Sequence, residues 1–186
     1  MINTLLACVV VLAAITILNL VLCFAIIRKL RDAGSHDGAE LDLPATGAQV
    51  GDFVARDIDG AAVSTADLAG RSTVVGFVMP GCGPCRSLVD AAREGRISAG
   101  TSALFFVRGE TPATDEVQYL VDNLRDTARV VLISGELDEV VSGAFGGIVG
   151  YPTLVRVDDG VVTAAGRSFD SVGAERREPV LTESLT

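Results

Sequence analysis

The stretch Thr73-Val74-Val75-Gly76-Phe77-Val78-Met79-Pro80-Gly81-Cys82-Gly83-Pro84-Cys85-Arg86 decides the reading of this chain. Its first half is a short run of β-branched and aromatic residues that stops at Pro80-Gly81, the pattern of a buried strand ending in a turn. Beyond Arg86, the apolar positions Leu88, Val89 and Ala92 take up helical spacing. Cys82 therefore falls where a strand gives way to a helix. Unpaired backbone N–H groups and the positive end of the helix dipole stabilise a thiolate at such a point. The thiolate is the nucleophile of disulfide exchange, and a second cysteine one turn further in can attack the mixed disulfide and release the product. On this reading Cys82 is the attacking thiol and Cys85 the resolving one.

Two other uses of a Cys-x-x-Cys pair fit less well. Half of a zinc site needs two more ligands, and outside the N-terminal apolar run the chain offers no further cysteine. An inert structural disulfide across so short a loop constrains the unfolded chain little. The single histidine, His36, lies in a polar segment outside the expected domain, which removes Ser–His–Asp and Cys–His hydrolases. A formal charge of −9 opposes nucleic acid as a partner. No metal and no cofactor are expected.

Working outward, short apolar runs recur at Ala103–Val107, Val130–Ile133 and Thr153–Val157, continuous rather than alternating, as in strands covered on both faces. Between them, Val117, Leu120, Val121 and Leu124 fall at i, i+3, i+4 and i+7, behind a cap and proline at Thr111-Pro112. Leu137, Val140, Val141 and Ala144 repeat that spacing and stop at Gly146-Gly147. Asp159-Gly160 signals a terminal hairpin. The sum is an α/β domain, a mixed sheet between helices, over residues 51–167. Residues 168–186 read as a loosely structured tail, and residues 34–50 as a tether.

Ahead of the tether, residues 2–27 carry no charged side chain. A helix of that length spans the roughly 30 Å hydrocarbon core, so residues 1–33 are expected to be a single-pass transmembrane anchor with a basic flank, in contact with lipid through residues 2–27. A cleaved signal would place basic residues before the run, whereas here Arg28, Lys29 and Arg31 follow it. Cys8 and Cys23 lie about 22 Å apart on such a helix and cannot bridge.

These marks resemble the thioredoxin superfamily. Cys82-Gly83-Pro84-Cys85 is identical to the thioredoxin active-site tetrapeptide, and Gly150-Tyr151-Pro152-Thr153 is similar to the segment in which thioredoxins carry a cis-proline opposite that site. Val50-Gly51-Asp52-Phe53, with Asp59-Gly60, Leu68 and Gly70, resembles the opening of the redoxin branch, the membrane-anchored TlpA-type proteins and the methylamine dehydrogenase accessory proteins. The 67 positions from Cys85 to Pro152 fit the additional βα unit of that branch. A peroxiredoxin reading fails because Cys82 occupies the threonine position of the Thr-x-x-Cys arrangement.

The resemblance implies a thioredoxin-like fold and a dithiol that reduces or exchanges disulfides of client proteins, of the kind matured in cytochrome and metalloenzyme assembly. It also implies an unidentified dithiol electron donor, and client binding at Tyr151, Pro152 and Thr153. An alternative is a redox-inactive assembly factor that holds a client on the same face. The sequence departs from the family in two places: Gly76 stands where thioredoxins keep a buried acid, and Gly81 where they usually carry an aromatic residue. Sidedness sets two arguments against each other. The basic flank favours a cytoplasmic domain, while the resemblance favours the extracytoplasmic side, where disulfides persist; the second is preferred.

Overall fold

The computed structural model describes residues 12, 15–22, 25, 43–98, 101–110 and 114–173. The chain divides into two compact units, Met1–Leu41 and Asp42–Thr186. In the first, the described residues are helical and exposed. Most of the expected anchor, Cys8 and Cys23, the basic flank, most of the tether and the tail from 174 lie outside the described residues. Among the described residues no helix is long and apolar enough to cross a membrane.

The second unit opens with a small antiparallel hairpin, β1 (Val54–Arg56) and β2 (Ala62–Ser64), followed by a 3-10 turn, Thr65–Leu68. Then come β3 (Ser72–Val78), α1 (Gly83–Arg93), β4 (Ser102–Arg108), α2 (Asp115–Leu124), β5 (Arg129–Ile133), α3 (Gly135–Ala144), β6 (Thr153–Asp158) and β7 (Val161–Gly166). The main sheet runs in the order β5-β4-β3-β6-β7. Strands β3, β4 and β5 are parallel, whereas β6 runs antiparallel to β3 and β7 antiparallel to β6. The four apolar runs picked out in the sequence are β3 to β6. The hairpin β6–β7 turns at Asp159-Gly160, both with positive φ (51° and 78°), as a two-residue hairpin requires.

Alternation along the strands sorts the core into two layers. One face of the sheet buries Val74, Val78, Phe105 and Leu154 with Cys85, Leu88 and Val89 of α1 and Leu120 and Leu124 of α2. The other buries Val75, Phe77, Phe106 and Val155 with Val141 of α3 and with Val50, Phe53 and Leu68 from the chain before β3. The first face is completed by Phe169 and Val172, which are buried although they fall in the stretch read from sequence as tail.

The four apolar positions expected in the first helical pattern are all buried in α2. Its cap is Thr114, whose side-chain oxygen accepts from the Val117 amide, rather than Thr111, which lies outside the described residues. On α3 the expected face is rotated. Val140 is 45% exposed, while Asp138 is buried because its carboxylate pairs with Arg108 at 2.9 Å.

The ends of the sheet are tied to the chain that precedes β3. Gly47 and Val50 donate backbone hydrogen bonds to Val162 and Gly160, and Val162 donates to Ala48. At the opposite side Ile58 donates to Val130 of β5. Beside it Asp57 accepts from Arg129 at 3.0 Å and from the Ala61 amide at 2.8 Å, fastening the hairpin turn to β5.

Candidate active site

Strand β3 carries the site. It is the middle strand of five, buried from Thr73 to Val78, so its C-terminal end is held by neighbours on both sides. From that end the chain turns through Met79-Pro80-Gly81 and enters α1. Gly81 has φ +73°, a conformation a side chain strains against. This is a physical reason for glycine where the resemblance expects an aromatic residue. A Cβ built there would have Glu116 Oε2 as its nearest neighbour, 3.9 Å away, with no other contact to brace it.

Cys82 is the N-cap of α1, with extended backbone, and its sulfur accepts from the Cys85 amide at 3.2 Å. It thereby occupies the place a Ser or Asp oxygen takes in an ordinary cap, at the end of the helix where negative charge is stabilised. Gly83 and Pro84 form the first turn. Proline is tolerated there because the first amides of a helix lack intrahelical partners in any case. Cys82 and Cys85 are joined as a disulfide. They differ in exposure: Cys82 is half-buried, while Cys85 has no exposed surface and belongs to the apolar cluster under α1.

In the core layer that holds Cys85, a ring stands where the resemblance expects an acid. A Cβ on Gly76 would collide with the Phe105 side chain of the neighbouring strand, its Cδ1 2.6 Å away. The space that a side chain at position 76 would need, where the resemblance expects an acid, is filled by Phe105.

The second sequence mark lies at the same end of the sheet. The Tyr151–Pro152 peptide bond is cis, as the resemblance implied. The antiparallel register pairs Phe77 with Thr153, which puts Tyr151-Pro152 alongside the end of β3 from which the Cys82 loop departs. Thr153 is fully buried, and its hydroxyl donates to the Gly150 carbonyl at 2.7 Å, closing the turn.

Tyr151 is half-buried beside the Arg108–Asp138 ion pair, with the Arg108 guanidinium 6.0 Å from its ring centre. Burial and the Asp138 charge push the Tyr151 phenol up, against the opposing Arg108 charge, so it stays neutral. Sequence reasoning missed Arg108 and Asp138. Arg108 falls just after an apolar run and Asp138 between the apolar positions of a helical pattern, and only the fold brings them together. Among the described residues no group of three or more His, Cys, Asp or Glu side chains could hold a metal ion.

A central parallel strand delivering a Cys-x-x-Cys pair to a helix N-terminus, with a cis-proline immediately before the adjoining antiparallel strand, defines a thioredoxin-fold domain. Solved structures agree. The domain is similar to the thioredoxin domain of a thiol–disulfide oxidoreductase from Bacteroides vulgatus, with TM-score 0.56 and 21% identity over 69% of this chain and 92% of that one. It is also similar to a thiol:disulfide interchange protein from a Bacteroides species, with TM-score 0.52 and 22% identity over 65% and 80% of the two chains. At these identities the likeness is one of fold. No protein-family model and no curated protein sequence matches the chain.

Proposed function

We propose that this chain is a membrane-anchored thiol–disulfide oxidoreductase that reduces or exchanges disulfides of partner proteins through Cys82 and Cys85. The observation that carries the proposal is the asymmetry of the pair: one sulfur half-exposed at the N-cap of α1, the other sealed in the core one turn away. In the reduced form the Cys82 thiolate attacks a client sulfur, a Cys82–client bond forms, and the client's other sulfur leaves as a thiolate. Cys85, deprotonated by solvent or by that leaving thiolate, then attacks Cys82. The client keeps both electrons as a dithiol and the protein is left as the disulfide, to be reduced again by a donor dithiol. Tyr151, Pro152 and Thr153 offer the client an extended backbone segment to pair with.

The anchor is supported by the uncharged run 2–27. The extracytoplasmic location is supported by the chemistry, because disulfide clients form and persist there. A membrane-impermeant maleimide applied to intact cells after reduction reads it, with Cys85→Ser as the background so that Cys82 reports.

The test of the reaction is mixed-disulfide trapping with full-length protein. Cys85→Ser is expected to accumulate client adducts, Cys82→Ser to accumulate few, and the double serine variant to lose at least about a thousandfold in turnover. Full biological activity in the double variant would instead establish a redox-inactive assembly factor.

A further inference from the structure

Beside Cys82, on the side of α2, lies a cleft of about 230 Å³ whose walls include Gly81, Cys82, Arg86, Glu116 and Tyr119. It is smaller than the roughly 300–1,000 Å³ of pockets that hold drug-sized ligands, so its occupant is of amino-acid size. Position 81 contributes to the opening: a side chain there would project toward Glu116, and glycine leaves that space free.

Two opposite charges face the cleft. The Arg86 guanidinium lies 4.0 Å from the centre of the Tyr119 ring, and the Tyr119 hydroxyl is in turn anchored on Asp90. Stacking engages the face of the guanidinium and leaves its in-plane N–H groups free to donate, the geometry that suits a carboxylate. Glu116, in the first turn of α2, is exposed. Neither Arg86 nor Glu116 forms an ion pair among the described residues.

From this arrangement we infer that the cleft receives the small-thiol half of a mixed disulfide. The thiol is a low-molecular-weight, cysteine-type compound whose carboxylate meets Arg86 and whose ammonium meets Glu116. The inference rests on the reaction proposed above and names a substrate class for it. In a disulfide R–S–S–R′, the Cys82 thiolate bonds to the sulfur of R and expels R′S⁻. Cys85 then attacks Cys82 and expels RS⁻ from the cleft. Two electrons pass from the dithiol to the substrate, two thiols leave after taking up protons, and a donor dithiol reduces Cys82–Cys85 again.

The experiment uses the reduced full-length chain in detergent and four probes that place different charges near one S–S bond: cystine, cystamine, 3,3′-dithiodipropionate and bis(2-hydroxyethyl) disulfide. Each oxidation rate is divided by that of dithiothreitol with the same probe, which removes the intrinsic reactivity of the disulfide. Normalised cystine is expected to exceed the neutral probe by about tenfold, as two charge-assisted contacts at a partly exposed site allow.

Glu116→Gln should lower the cystamine-to-neutral ratio about threefold and spare the dithiodipropionate ratio, and Arg86→Gln should do the reverse. Normalised rates equal within twofold across all four probes, with a protein disulfide such as insulin still reduced, would overturn the inference and leave the proposed reaction standing. No reaction with any probe, insulin included, would remove both.

Discussion

The two faces of the sheet are built for different ends. On the side of α3, four phenylalanines interlock: Phe77 and Phe106 are stacked at 5.1 Å, Phe145 meets Phe77 edge-on at 5.2 Å, and Phe53 meets Phe106 edge-on at 5.6 Å. On the side of α1 and α2, the layer is mainly aliphatic and carries the buried Cys85 sulfur. The same strand supplies both, since Val75 and Phe77 point one way and Val74 and Val78 the other. Aromatic packing fixes the strand from behind while the front stays shaped around Cys85. Phe105 and Phe169 are aromatic exceptions, and Phe105 bears on the site. It belongs to the front face, and its ring displaces whatever position 76 could have carried. The lesson is that scaffold and chemistry are divided by strand alternation rather than by segment of chain.

That division can be broken deliberately. Phe106→Ala, in the middle of the aromatic layer, is expected to cost about 3–5 kcal/mol in a urea melt. Exchange per folded molecule should stay within about twofold. A folded Phe106→Ala protein that exchanges tenfold more slowly would falsify the separation of the faces. Gly76→Ala tests the front, since the new methyl meets the Phe105 ring. It should cost about 1–3 kcal/mol and, unlike the first variant, alter the rate at which Cys82 is alkylated.

Asp57→Asn lies away from both layers and should cost about 1 kcal/mol at neutral pH. Burial raises the Asp57 carboxyl, but the Arg129 hydrogen bond, the Ala61 and Asp59 amides and the Arg129 charge outweigh it and hold it below the usual range. A depressed carboxyl contributes stability above its unfolded pKa and loses it as pH falls through the folded value. The gap between wild type and Asp57→Asn should therefore close below about pH 4, and melts across an acid series read it.

Much of this was legible in the sequence because the relevant signals are local. Strands β3 to β6 announce themselves as apolar runs, α2 by a clean helical period, and the Cys82-to-Cys85 turn by its position between strand and helix. What escaped was decided by tertiary contact. The hairpin β1–β2 is only three residues a side, with Val54 exposed, too short for alternation to register. Asp138 breaks the apolar face of α3 and is buried because Arg108, thirty positions earlier, reaches it. Phe169 and Val172 are isolated apolar residues in a polar stretch, with no period to reveal that they close the layer over α1. At the site, the spacing of the cysteines and the absence of an acid at Gly76 were readable, whereas the Phe105 ring that fills that space required the neighbouring strand.

The bonds that Gly47, Val50 and Ile58 make at the two edges of the sheet have a consequence for how copies of the domain meet one another. A mixed sheet ordinarily leaves two open ladders, each able to recruit a neighbouring molecule. Here the outer strands β5 and β7 both carry hydrogen bonds from the chain that leads into the domain. Copies that meet edge to edge are thus discouraged from zipping together. On the proposed function, an extended partner is left the cis-peptide segment at the Cys82 end of the sheet as the place to pair, so that capture of a strand and access to the thiol would become a single event.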